Sequence, residues 1–475
     1  MSALIPTALF TPRVRARRVG AWLLMLAATA VAAHEPARVA APPAVAALPP
    51  LALGADAPVA DIDGARIGRN ALAVLQRYRA LEGRQVSTDD VLAEIVEQRA
   101  LARHAAAKLT RDALFPDLRV AFAPEVAADD KLTGVLRAVL REPLERALAR
   151  KTGDALERVI VASPAPTAAQ LREVLGDPAK IRLEYALDGD VASRAEALVV
   201  LRYRGLDERV RQLTLADVYA RQNVQGRMSL HALDTEFLVV QARTRVVALL
   251  VQEWAQGAIG ADAVNELRRN LLDREYARGL REHYGLGADM HDSNAYLDGL
   301  RRGVTAAEIA AWYAANRERF RRIERVRARH IRLADEATAA RVAALLAKDG
   351  SNFAELARRH SMAPDRAGGG ELGWLARRDD ADWFTELVFA QPPARNGAPV
   401  REPVAADIAA HWEIVRVDEQ QSGYFPADSE TVRYIAARAI AENKARDAFA
   451  ALLDAQRRAT RVRRIDAGAG RKASP

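Results

Sequence analysis

The chain has 475 residues, half of them hydrophobic and 28% charged, enough for roughly three domains with real cores and too apolar for wholesale disorder. Lys and Arg number 70 against 62 Asp and Glu, but residues 1–33 carry four Arg and no acid, and 455–475 carry seven Lys or Arg against Asp466 alone. The body between them is near neutral, so a nucleic-acid partner, which calls for a basic patch on the folded part, is not expected. There is no cysteine, which excludes disulfides, thiolate nucleophiles and Cys-ligated metal sites.

In chain order, Arg13, Arg15, Arg17 and Arg18 precede an apolar run, 19–33, that ends in small residues. That order is a secretory signal peptide, with cleavage expected after Ala32 or Ala33. The run is shorter than the ~20 residues that span a bilayer comfortably; the alternative is an uncleaved signal that anchors the chain in the inner membrane. No later segment is apolar enough to span. Residues 34–58 are an Ala/Pro stretch without periodicity, read as a linker.

Folding is expected from Val59. Alternation around Asp63 and Gly64 suits a hairpin, 69–81 reads as an amphipathic helix, and Ser87 with Asp90 three residues on opens another through about Leu109. From there to about 300 the pattern is mostly helical: Thr167 and Gln170 form a capping box, and 232–256 and 262–283 have a strong 3.6-residue period. Residues 59–303 are therefore expected as a helical domain. Thr305 and Glu308 cap a connecting helix, 304–324, running through Phe320. The character then changes, with a strand at 326–333, helices at 335–348 and 352–360, and a turn forced by Gly368, Gly369 and Gly370. A short strand at 371–375, a helix from Trp383 to Phe389 and a strand at 411–417 follow. Residues 420–466 are expected to form a long helix (426–458) that packs back on the helical domain through Phe449, Leu452 and Leu453, with one edge strand after it. Residues 467–475 read as a disordered tail.

The segment 325–419 resembles the parvulin (PpiC-type) family of peptidyl-prolyl cis-trans isomerases. The residues that carry the resemblance are the His330 strand, the helix phrase NFAELARRHS (352–361), the glycine turn into GELGW (370–374), Phe384 and Phe389, the phrase REPV (401–404) and the closing strand. The helices before it resemble the chaperone region of the SurA and PpiD type of periplasmic foldase. The resemblance implies an α+β fold, a mostly helical chaperone domain plus a small parvulin domain built on a four-stranded antiparallel sheet with surrounding helices. It implies no cofactor and no metal, a periplasmic location, and unfolded or proline-containing polypeptides as clients. Carried over by residue, Leu372 and Phe384 wall the proline pocket, and His330 is the floor histidine of the network beneath it. Ser361, Trp374, Phe389 and Asp380 are the expected substrate contacts.

Three positions depart from the family pattern. Ala363 falls where an Asp or Cys is usual, and Asp380 where the pocket methionine is. The second network histidine falls on Glu413 without a gap, or on His411 if two residues are inserted. Two functions follow: an exported isomerase, or a catalytically degenerate parvulin-like chaperone that binds unfolded clients without isomerase activity. With only Ala334 and Asp335 after the first strand there is no basic insertion to read a phosphorylated residue before proline. His283, Asp289, His291 and Asp292 are close in sequence but fit no zinc spacing and read as loop residues. Ser229 with His231 reads as a polar stretch between helices. The oligomeric state is not legible.

Overall fold

The computed structural model describes residues 51, 53–152, 156–287, 294–378, 380–405 and 410–465. The expected signal peptide, most of the linker, the tail, and Asp289, His291 and Asp292 lie outside the described residues.

The chain enters as a hairpin, β1 (Pro58–Ile62) and β2 (Ala65–Gly68). Asp63 and Gly64 both have positive φ, 49° and 89°, the turn whose twist matches paired strands. Next come α1 (Arg69–Leu81), α2 (Thr88–Lys108), α3 (Arg111–Leu114), α4 (Pro124–Val139) and α5 (Arg141–Thr152). The expected capping box holds α2: the Ser87 hydroxyl accepts from Asp90 N, and Asp90 Oδ2 accepts from Ser87 N at 2.9 Å.

The expectation of an all-helical stretch to about 300 is corrected at its centre. After β3 (Ile160–Ala162), α6 (Ala168–Leu175) and α7 (Gly189–Ala197), strands β4 (Val199–Arg204) and β5 (Val210–Thr214) complete a three-stranded sheet in the order β3-β4-β5. These strands are three to six residues long, and in β4 the neighbours Val200 and Leu201 are both buried, so no clean period of two marks them. Four helices follow: α8 (Leu215–Tyr219), α9 (Val224–His231), α10 (Thr235–Ile259) and α11 (Ala261–His283).

Helix α10 serves two cores. Its Leu238, Ala242, Val246 and Leu250, four residues apart, pack with the three-stranded sheet and α6 to α9. Its last turns, Val251, Ala255 and Ile259, pack with the hairpin, α1, α2, α4 and α11.

The rest of the chain comprises α12 (Ala295–Arg302), α13 (Ala306–Ala315), β6 (Arg321–Leu333), α14 (Glu336–Lys348), α15 (Phe353–His360), β7 (Glu371–Ala376), α16 (Trp383–Ala390), β8 (Val400–Arg401), β9 (Trp412–Tyr424), α17 (Glu430–Ala459) and β10 (Val462–Arg464). Helix α13 starts at the Thr305–Glu308 capping box but stops at Ala315, short of the expected Phe320. Phe320 instead sits in a 3₁₀ turn, buried against the rings of Trp312 and Tyr313 at 5.9 and 5.4 Å, which turns the chain into β6. Phe449 on α17 is buried with Leu101, Leu114, Phe115, Ala277 and Leu280, and Leu452 and Leu453 pack against the same cluster. Strand β10 pairs with β1, so the two ends of the described chain share one sheet.

The second sheet of consequence has four antiparallel strands in the order β7-β6-β9-β8, as the resemblance implied. One face, with Ile331, Leu333 and Ile414, packs on α14 and α15; the other, with Val326, Ala328, Val415 and Val417, packs under Val388 and Phe389 of α16. Among the described residues no helix is long and apolar enough to cross a membrane.

Candidate active site

The site lies where the apolar α16 face of the four-stranded sheet turns polar. Strand periodicity puts Ala328, His330 and Arg332 on one face of β6. In the ladder they oppose Val417, Val415 and Glu413, and His411, two residues before Glu413, continues that face. The two residues proposed as alternatives for the second network position therefore both belong to it, with no insertion needed. Glu413 is the one that meets His330.

His330 is 3% and Glu413 0% exposed. His330 Nδ1 lies 2.8 Å from Glu413 Oε2, and His330 Nε2 lies 3.0 and 3.2 Å from the Asp365 carboxylate. An ionised carboxylate only accepts, so both imidazole nitrogens donate, or one of the two acids holds a proton. Arg332 Nε donates to Glu413 Oε1 at 2.6 Å. His411 Nε2 comes within 3.2 Å of the same oxygen but is not aligned to bond it, while its Nδ1 pairs with Glu402 at 2.6 Å. Burial pushes the Glu413 carboxyl up, but the bonds and charges of His330 and Arg332 outweigh it and hold the group below its ordinary value.

Asp365 is the acid that sequence reasoning missed. Counting back from GELGW pointed to Ala363, which is buried at the start of a 3₁₀ turn, Pro364–Gly368. The turn moves the chain so that the residue two further on faces the imidazole; an acid inside a Pro- and Gly-bounded turn was the available signal. The turn depends on glycine: Gly370 has φ +74°, and a Cβ there would overlap the His330 carbonyl oxygen. His330 N in turn donates to Gly370 O at 2.9 Å.

Above the network, Asp382 caps α16 by accepting from Thr385 N, and the helix sets the Phe384 ring 4.9 Å from that of His330, tilted 54°. Leu372 and Phe384, both partly buried, pack on the apolar cluster of this face. Together they form a half-open apolar wall over a polar floor.

The other expected contacts fall elsewhere. Ser361 is 3% exposed, and its hydroxyl accepts from the backbone N of Arg332 and of Ala363, both at 3.1 Å; it ties the end of α15 to β6. Phe389 is core, 6% exposed, with the Arg377 guanidinium 4.5 Å over its ring. Trp374 lies on β7, with Arg325 5.2 Å from its ring. Asp380 points into solvent and pairs with Arg378 at 2.9 Å, whose hydrogen bond and charge hold its carboxyl below the ordinary value. A carboxylate at an apolar wall would carry a desolvation penalty, and turning outward avoids it.

An antiparallel sheet with a buried, acid-flanked histidine under an apolar wall is the arrangement of a parvulin-class peptidyl-prolyl cis-trans isomerase domain. Residues 304–433 match the family described as the PPIC-type PPIASE domain, and the chain thus carries a domain of that family. Over 135 residues it is 33% identical to the chaperone SurA of Aromatoleum aromaticum, covering 27% of this chain and 29% of that protein. Over 190 residues it is 26% identical to a probable parvulin-type peptidyl-prolyl cis-trans isomerase of Bordetella bronchiseptica, covering 36% of this chain and 71% of the other. The chain thus spans under a third of the length of the SurA relative that it matches. Among solved structures, one of the SurA-like chaperones PEB4 and Cj1289 of Campylobacter jejuni is 20% identical, covers 46% of this chain and 80% of its own, and has a TM-score of 0.20.

Proposed function

We propose that the chain is an exported peptidyl-prolyl cis-trans isomerase that assists the folding of envelope or secreted proteins. The observation that carries the reading is His330 held between Asp365 and Glu413 beneath the Phe384 ring. The X–Pro bond rotates slowly because of its partial double-bond character. That character weakens when the resonance form with negative carbonyl oxygen is disfavoured. Leu372 and Phe384 strip water from the proline ring, and the carboxylate of Asp365 at the floor raises the energy of a negative oxygen placed near it. No bond is broken, and the residues named need no cofactor. Residues 59–303 and 420–466 form the client-holding body in this reading, and the basic, apolar, small-residue order of 13–33 supports export to the periplasm.

One observation favours the second reading, a chaperone with a degenerate isomerase unit: with Asp380 turned outward, the pocket lacks one apolar wall. A protease-coupled assay of the full mature chain with a proline tetrapeptide decides between them. The isomerase reading expects a rate above the uncatalysed one that Phe384→Ala sharply lowers while suppression of client aggregation survives. No measurable rate in the folded wild type rejects it.

A further inference from the structure

Where the hairpin-side helical core meets the core of the three-stranded sheet, a cavity of about 360 Å³ opens between α4 and α8 to α10, a size suited to a specific ligand. It is far in sequence from the isomerase site, and nothing in the proposed isomerisation uses it. Its walls mix two aromatic rings, Phe122 and Phe237, with Gln225, Gln241, Arg221 and Arg245.

Arg245 is the group that the fold leaves short. Its Nη1 is buried and has no hydrogen-bond partner among the described residues; the Asp129 carboxylate lies 3.8 Å away. Asp129 is already engaged, accepting from Arg268 Nε at 2.6 Å and Arg221 Nη1 at 3.0 Å, and Arg221 Nη2 bonds Asp130. Three guanidiniums thus surround two carboxylates, leaving one positive charge uncompensated. Burial, then the charge of Arg221, pulls the Arg245 pKa below its ordinary value. Nη1 itself is closed off on the Asp129 side, but the Arg245 side chain, 19% exposed, lines the cavity, and a single carboxylate beside it would balance the excess positive charge of the cluster. A dianion would overshoot the balance. The Gln225 and Gln241 side chains make no hydrogen bond to the described residues and offer both donors and acceptors, as peptide groups require. Phe122, 49% exposed, stands free for an apolar side chain.

We propose that this cavity binds a carboxylate carried on an apolar stretch of unfolded polypeptide, with the carboxylate on Arg245 and the flanking apolar side chains on Phe122 and Phe237. This rests on the reading of the chain as a handler of unfolded polypeptides. The carboxylate belongs either to an Asp or Glu side chain or to a free chain end.

The test uses the full mature chain and rhodamine-labelled peptides without proline, so that the isomerase site is not engaged. The peptides are Gly-Phe-Ala-Asp-Ala-Phe-Gly amide, its Asn counterpart, and the Asn peptide with a free terminal carboxylate. Anisotropy should show the Asp amide binding at least about tenfold tighter than the Asn amide, or 1.4 kcal/mol. The free-acid Asn peptide regains that affinity if chain ends are the source and stays weak if acidic side chains are. Arg245→Gln should erase the difference between the two amides. Phe122→Asp, at a half-exposed position that leaves the core intact, should reverse it by repulsion. Equal binding of all three peptides by the wild type overturns the proposal, as does a difference that persists unchanged in folded Phe122→Asp. The proline assay on the same preparation reports the other site separately: discrimination without isomerase activity sinks the isomerase reading alone, and isomerase activity without discrimination sinks this one alone.

Discussion

Two buried ionic clusters, one in the helical body and one in the four-stranded sheet, are pushed the same way by burial, yet their acids end with pKa values shifted in opposite directions. In the helical body Arg99, 6% exposed, bonds Glu266, reaches Asp273 at 3.2 Å, and leaves its Nη1 without a partner among the described residues. Burial raises the pKa of both acids, and the one guanidinium they share does not offset it. Glu413 in the sheet is buried as well, yet its pKa is lowered, because His330 and Arg332 both bond its two oxygens. Asn270 Nδ2 also donates to Glu266, at 3.1 Å, but it is neutral; two charge-bearing partners on Glu413, against one guanidinium bonded to both Glu266 and Asp273, set the direction. The helical cluster tolerates a proton on an acid and acts as packing, whereas the sheet cluster needs its anion to hold a histidine in place.

The largest effect expected from that difference is on Glu413→Leu. It strands the buried His330 against an apolar side chain, while Arg332, 34% exposed, turns to water, and should remove about 3 kcal/mol from the small sheet, read as lost hydrogen-exchange protection across β6 and β9. Arg99→Met should cost the helical body less than that, and the less the lower the pH, because burial already raises the pKa values of Glu266 and Asp273. Equal losses in the two regions would break the comparison. Next comes Phe384→Ala, which should lower kcat/KM for a proline peptide by roughly thirtyfold, about 2 kcal/mol, with unfolding of the helical body unchanged. A loss of both would mean that the ring is structural. Within the glycine turn, Gly370→Ala forces a Cβ into the His330 carbonyl at a positive φ and should cost more than about 1 kcal/mol. Gly368→Ala, where no atom lies within 4 Å, should be close to neutral in the same urea titration.

The smallest effect is in pH. Raised folded-state pKa values mean that Glu266 and Asp273 bind protons more readily folded than unfolded, so their contribution is lost as pH rises above their ordinary values of 4.5 and 3.8. The helical body should therefore be more protected at pH 5 than at pH 7, and Glu266→Gln should flatten that slope. Glu413 has the opposite sign: its contribution is complete above 4.5 and is lost as pH falls through its lowered folded value. Exchange in β6 and β9 should rise below pH 4.5, and a sheet that instead gains protection there would reverse the assignment.

Local signals carried much of the architecture. Ser87 with Asp90, Thr167 with Gln170 and Thr305 with Glu308 each form the reciprocal cap that their spacing predicts, because a capping box is complete within four residues. The stop of α13 at Ala315 was hidden, since it depends on Phe320 finding Trp312 and Tyr313 after the chain has turned. The strands β3 to β5 were hidden because each is short and stabilised only by its neighbours and by α10. At the site, His330, Leu372 and Phe384 are legible from the motif around them. Asp365 is not, because a count along the chain passes through a 3₁₀ turn as if it were extended, and Asp380 is misplaced because a loop side chain can choose solvent.

By itself the sequence determined the helix starts, the glycine turn, the alternation that aligns His330 with Ala328 and Arg332, and the family of the 304–433 segment. All of these depend on residues a few positions apart or on an ordered motif. Only the tertiary structure decided which acids meet His330, that His411 pairs with Glu402 beside Glu413, that β10 closes on β1 across some four hundred residues, and that Arg245 lines a cavity where three guanidiniums share two carboxylates. Those are contacts between elements distant in the chain, and their partners are selected when desolvation makes each buried charge find a donor or acceptor wherever packing has brought one near.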